Sequence, residues 1–294
     1  MKNDDLILKL YENISINPII KKYNQFYQVD LISLLNLKER LRFFSGGKLY
    51  LYLTSLHSQI NTEHLRVSAE IEIFCLASKI LDDLLDEDSK YSLPFDEKNH
   101  LLFFSELLTH SMRELSLHPK FPEANHHLQD AINAEFNDVN LSPIINKFSD
   151  NDYRNIFLPK TSSIINFISD LSGLSLELSQ KFSKSFSFSL QITNDLNGII
   201  ASSEKSDIKK VRPTLPIIMA LNSKHGREVF SLFQNHDFEA EDVKTMILQS
   251  GAMEYCSFHN SIEKENISSV LIEAYPDQRQ TITFILEMLE GVSQ

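Results

Sequence analysis

The chain has 294 residues, of which 42% are apolar and 23% charged, with only seven Gly and nine Pro. That is ample material for a core, and it suits long helices joined by short turns. A formal charge of −12 argues against nucleic acid, whose phosphates need clustered Lys and Arg, and admits cationic partners such as metal ions.

Two cysteines, Cys75 and Cys256, are too few for a disulfide framework. With the polar, acidic N-terminus "MKNDDLILKLYENIS" they predict a cytoplasmic protein without a secretory signal. No apolar run reaches the roughly 20 residues of a membrane-spanning helix.

Along the chain, apolar residues recur three and four apart almost everywhere, which predicts helices. "DLISLLNLKERLRFF" (30–44) reads as a helix ending at Gly46-Gly47, and "HLRVSAEIEIFCLASKILDDLL" (64–85) as about six turns. "HLLFFSELLTHSMREL" (100–115) and "HHLQDAINAEFNDVNL" (126–141) follow, punctuated by Pro94, Pro119, Pro122 and Pro143. Region 153–179 is helical, and Pro159 predicts a break or kink near its start. A serine-rich helix covers 181–202, and Pro213 and Pro216 open another. Further helical segments lie around 225–235, 240–250, 252–273 and 276–290. The expectation is all-α: one domain spanning 1–294, with ten or more helices.

The densest chemical signal is "KILDDLLDED" (79–88), with five carboxylates in its last seven residues. On a helix, Asp82 and Asp86 lie one turn apart on one face, with Asp83 beside them. Two carboxylates ~6 Å apart repel by roughly 3 kcal/mol at an effective dielectric of 20. The negative end of the helix dipole adds to that cost. A solvated acidic face is the ordinary fate of a charge run, but this one ends an apolar helix. Hard oxygen donors at i, i+1 and i+4 suit magnesium, which typically shares phosphate oxygens with a substrate.

"DDLLD" resembles the first aspartate-rich motif, DDxxD, of the trans-isoprenyl diphosphate synthase superfamily. Further motifs follow in the order of that family. "GGK" (46–48) resembles its glycine-glycine-lysine turn, and "PKTSS" (159–163) its Lys-Thr motif. "LQITNDLNG" (190–198) resembles its second aspartate-rich region, and "SDIKKVRPTLPIIMAL" (206–221) the segment downstream. The resemblance implies an isoprenoid-synthase fold, a single helical bundle around a central cavity. It implies that Asp82, Asp83, Asp86, Asn194 and Asp195 hold Mg2+. It further implies that Lys48, Lys160, Thr161, Gln191 and Arg212 bind the diphosphate of an allylic prenyl donor, and that the protein is a homodimer. The chemistry implied is ionisation of an allylic C–O bond, with Lys160 and the aspartates as catalytic groups.

The departures from that family bear on the acceptor. Elongating enzymes read GGKRxRP, whereas Lys48 is followed by "LYLY". A histidine that helps bind isopentenyl diphosphate is replaced by Cys75. The paired arginines after DDxxD are replaced by "SKYSLPF", and Asn194 and Gly198 thin the second motif. No other side chain supplies the bidentate fork of a guanidinium. The local pattern "IEI…DDLLDED", the "SDIKK" stretch and residues 250–271 resemble the ComQ-like isoprenyltransferases of bacilli. That branch prenylates a tryptophan of a peptide pheromone precursor, in quorum sensing. The expected acceptor is therefore a small Trp-containing peptide. A terpene cyclase, ordinary chain elongation and a non-catalytic binding subunit are the alternatives.

Overall fold

The computed structural model describes residues 3–37, 41, 44–85, 96–140, 148–200, 208–209, 212–234 and 238–290. Among them the secondary structure is helical throughout, with well over ten helices and no strand, as the apolar periodicity predicts. No helix is long and apolar enough to cross a membrane. The chain divides into two compact units. The first consists of Met1–Asn125, Phe167–Ser179 and Ala274–Gly291, and the second chiefly of His126–Asn166 and Gln180–Glu273.

In the first unit the Thr62–Leu85 helix packs against three others, Asn3–Ser15, Gly46–Ser55 and Glu97–Leu115. Ile71, Ile73, Leu10, Ile14, Phe103 and Leu107 are fully enclosed there. Gly46–Ser55 is buried along almost its whole length, which accounts for its unbroken run "LYLYL". The glycine pair opens this helix instead of forming a turn before it. A Cβ on Gly46 would sit 2.6 Å from Cys75 Sγ, and one on Gly47 2.3 Å from the Ser68 carbonyl oxygen. The two glycines are thus what lets this helix approach Thr62–Leu85 so closely.

The helix expected over 30–44 is interrupted after Leu31–Leu34, where Asn36 adopts the left-handed conformation at φ 48°; Leu37 is helical again, and its carbonyl accepts from the Leu41 amide at 3.0 Å. Asn tolerates that conformation better than most residues, since its short amide bonds locally. Residues 38–40 and 42–43 of that stretch lie outside the described residues. Asp30 caps the short helix by accepting from the Ile32 and Ser33 amides.

In the second unit, Tyr153, Phe188, Ile192, Leu215, Ile218 and Cys256 form one apolar cluster. Ile199, Ile217, Val229, Phe233, Val243 and Ile247 belong to a second. The serines of "KFSKSFSFSL" are part of this interior: Ser183, Ser187 and Ser189 are fully buried on the Leu176–Ile200 helix. Ser187 satisfies its hydroxyl by donating to the Ser183 carbonyl at 2.6 Å, so these small polar residues are buried without an unmet bond.

The break expected at Pro159 takes the form of a π-helical turn, Tyr153–Phe157, between Asp150–Asp152 and Leu158–Leu171. Pro159 offers no N–H to the carbonyl four residues back, and its ring crowds that carbonyl. The helix widens instead, and the Leu158 amide donates to the Tyr153 carbonyl, five residues back. The widening resets the helical phase. Eight α-helical steps from Tyr153 to Thr161 would turn about 800°, roughly 80° out of register. One inserted residue makes the interval equivalent to about seven steps, close to two full turns. Tyr153 and Thr161 therefore share a face.

Candidate functional site

That shared face meets the second motif. Asp195 is buried, at 3% exposure, yet its carboxylate is well supplied with donors. The Tyr153 hydroxyl donates to Oδ2 at 2.7 Å, the Leu215 amide to Oδ2 at 2.8 Å, and Gln191 Nε2 to Oδ1 at 2.9 Å. Thr161 in turn donates to Gln191 Oε1 at 2.7 Å. The Leu215 amide is the first of the Leu215–Asn222 helix, where a negative charge is favoured. Thr214, placed to cap that helix, makes no side-chain cap bond, and its buried hydroxyl oxygen has no hydrogen-bond partner. Asp195 supplies the cap from another helix.

The structure thus brings together Thr161, Gln191 and Asp195, and adds Tyr153, which the sequence reading did not single out. Burial and the adjacent Asp195 carboxylate hold the Tyr153 phenol well above its ordinary range. It stays a protonated donor. Burial, with Asp195 and Asp150 nearby, also pushes the Cys256 thiol up to about 12, so it is a packed side chain and not a nucleophile. Neither cysteine forms a disulfide. Asn194, next to Asp195, is exposed.

Lys160 Nζ pairs with Glu135 Oε2 at 2.8 Å, with both side chains partly exposed. Arg154 donates to Asp150 Oδ2 at 3.0 Å and lies 3.6 Å above the Phe188 ring. Arg212 is half-buried just before the Leu215–Asn222 helix, and its carbonyl accepts from the Thr214 amide at 2.8 Å.

In the first unit, Asp82 lies in the last turn of Thr62–Leu85 and forms an ion pair with Lys79. The side chain of Asp83, and all of Asp86 and its neighbours to residue 95, lie outside the described residues. For a hard divalent cation the donor chemistry of Asp82, Asp83 and Asp86 fits, since all three are carboxylates. Asp195 fits less well, because at least three of about four acceptor positions on its carboxylate already hold hydrogen bonds.

Lys48 sits at the start of the Gly46–Ser55 helix, where Ser45 caps by accepting from the Lys48 amide at 3.2 Å. Glu72 Oε2 accepts from the Ser45 hydroxyl at 2.6 Å and from the Gly47 amide at 3.2 Å. The Lys48 side chain is buried, and its ammonium donates to the Leu41 carbonyl at 2.9 Å. Burial pushes its pKa down from 10.5 to about 8, against the opposing pull of Glu72 and Glu287.

Below about pH 8 the cost of the buried charge is felt in full, and the unfolded chain binds more protons from there to pH 10.5. This group's contribution to stability therefore rises across that window. Lys48→Met removes a burden of roughly 3 kcal/mol, against about 1–2 kcal/mol for depriving the Leu41 carbonyl of this donor. The variant is expected to melt a few degrees higher at pH 7, with the advantage shrinking toward pH 10. Thermal melts across pH check this; a constant difference would mean that the ammonium is not the cause.

No protein-family model matches the sequence, and no curated protein matches it. Solved structures do match in fold. A geranylgeranyl pyrophosphate synthase superposes with a TM-score of 0.75 at 16% identity, covering 99% of this chain and 98% of its own. A decaprenyl diphosphate synthase from Rhodobacter capsulatus gives 0.72 at 17% identity, covering 98% and 96%. A polyprenyl synthase from Caulobacter crescentus, crystallised with calcium and isoprenyl diphosphate, gives 0.72 at 15% identity, covering 85% and 84%. The chain has the all-α fold of the trans-isoprenyl diphosphate synthases.

Proposed function

We propose that the protein is a Mg2+-dependent prenyltransferase that ionises an allylic prenyl diphosphate, geranyl or farnesyl, and passes the prenyl group to a tryptophan of a small peptide pheromone precursor. The observation that carries this reading is the five-carboxylate run closing an apolar helix, on a fold shared with polyprenyl and geranylgeranyl diphosphate synthases. Asp82, Asp83 and Asp86 would hold the cation. When bound, Mg2+ supplies Lewis-acid stabilisation of the charge that builds on departing pyrophosphate. In the second unit Asp195 fixes the Gln191 amide.

Lys160, Thr161, Gln191 and Arg212 are the diphosphate ligands in this reading. The partly exposed Lys160–Glu135 pair is worth ~0–1 kcal/mol, so phosphate oxygens displace Glu135 at little cost. The acceptor follows from what is missing. Leu49 and Leu51 are buried core residues at the two positions where elongating enzymes carry arginines, so isopentenyl diphosphate has no fork to grip. The protein works in the cytoplasm as a homodimer in this reading.

The test is an incubation with farnesyl diphosphate, magnesium and either isopentenyl diphosphate or a Trp-containing peptide, read by mass spectrometry. The expected result is a farnesylated peptide and no longer diphosphate. Efficient elongation would overturn the acceptor assignment, and hydrocarbon released without any acceptor would make the protein a cyclase. A second reading, a non-catalytic subunit that binds prenyl diphosphate, is favoured by one observation, the internal engagement of Asp195. Magnesium-dependent binding without turnover would select it.

A further inference from the structure

The second unit carries a donor cluster of different chemistry on its surface. His126 and His127 open the His126–Asn140 helix, and Asp130 follows one turn later. One ring nitrogen from each histidine and one Asp130 oxygen all lie within 4.8 Å of one another. The imidazole ring centroids are 3.9 Å apart. Neither the aspartate-rich motifs nor the diphosphate ligands include these residues.

We propose that His126, His127 and Asp130 form a site for a borderline divalent transition ion, zinc above all. The donor set decides the class of metal: two imidazole nitrogens and one carboxylate oxygen suit zinc, cobalt, nickel or copper, whereas magnesium prefers an all-oxygen shell. Donors about 2.0–2.2 Å from a tetrahedral ion are ~3.3–3.6 Å apart. Closing from the present spacing needs about an ångström of movement, within reach of rotamer changes in exposed side chains. His126 and Asp130 are spaced i, i+4 and His127 and Asp130 i, i+3, so one helix presents all three donors. Leu128 and Ala134 anchor that helix by burial. Three protein ligands leave a fourth position for water, so the site binds metal without another chain.

An occupied site ties the first turn of this helix to the second, so zinc is expected to raise the melting temperature. The test is a calorimetric titration of the full chain with zinc in millimolar magnesium, which occupies hard carboxylate sites. One zinc per chain is expected, with affinity falling by about tenfold or more in His126→Ala and in Asp130→Ala. Cobalt substitution should give visible absorption bands that His127→Ala removes, while circular dichroism confirms that each variant is folded. No zinc uptake in magnesium, or equal uptake by wild type and both calorimetry variants, overturns the site.

Discussion

Asp195→Ala is expected to lower global stability by roughly 3–5 kcal/mol, the range seen when one partner of a buried charged network is removed. The loss arises because three donors are stranded together: the Tyr153 hydroxyl, the Leu215 amide and Gln191 Nε2. Each buried donor left without a partner costs about 1–3 kcal/mol. The Leu215–Asn222 helix also loses its only side-chain cap among the described residues, since Thr214 makes none. Asp195→Asn should cost less: with its amide oxygen at the Oδ2 position it still accepts from the Tyr153 hydroxyl and the Leu215 amide, and only its NH2 then faces Gln191 Nε2. Thermal and urea melts of Asp195→Ala and Asp195→Asn decide the matter. If both melt like the wild type while prenyl transfer is lost, Asp195 is a metal ligand and not a structural hub.

Tyr153→Phe gives a graded control. It removes one donor from Asp195 and leaves the aromatic packing of Phe157 and Phe188 intact, so its cost should be nearer 1 kcal/mol.

The role of Asp195 shows where sequence reasoning stops. The motif "LQITNDLNG" marks Asp195 as a carboxylate of interest, and helix periodicity places it on Leu176–Ile200. Neither reveals that its hydrogen-bond partners lie 42 residues upstream and 20 downstream, because such pairing is created only when helices pack. The Lys160–Glu135 pair escapes for the same reason. Pro159 did signal a local irregularity, since the missing N–H is a property of the residue. The π-helical turn, rather than a kink, reflects the alignment that Tyr153 and Thr161 need against the neighbouring helix.

Local signals read best where they dominate. The helix expected over 64–85 is Thr62–Leu85, and the one expected over 252–273 is Ala252–Ala274. Over 30–44 the apolar spacing was just as regular, yet the helix is interrupted after its first turn, where one Asn lies in the left-handed region. Gly46-Gly47 looked like a stop and is a helix start, because the absence of a Cβ serves a close helix–helix approach as readily as a turn.

Asp82→Ala should behave in the opposite way to Asp195→Ala, losing activity while keeping stability. Its side chain is partly exposed and pairs with Lys79, one turn away on the same helix. Such an i, i+3 pair contributes about 0.2–0.5 kcal/mol. Removing a negative charge from the negative end of the helix returns a similar amount, so the melting temperature should shift little.

Pyrophosphate release from farnesyl diphosphate, by contrast, should fall by roughly two to three orders of magnitude. That is about 3–4 kcal/mol of lost charge stabilisation in the transition state. Asp82→Asn separates charge from shape: the amide keeps one oxygen donor but not the anion, and should recover little of the rate. Raising magnesium should partly rescue Asp82→Asn, because a neutral donor weakens metal affinity before it abolishes it. A variant with normal turnover at ordinary magnesium would place the chemistry elsewhere in the fold, and the acidic end of Thr62–Leu85 would then be a solvated helix terminus.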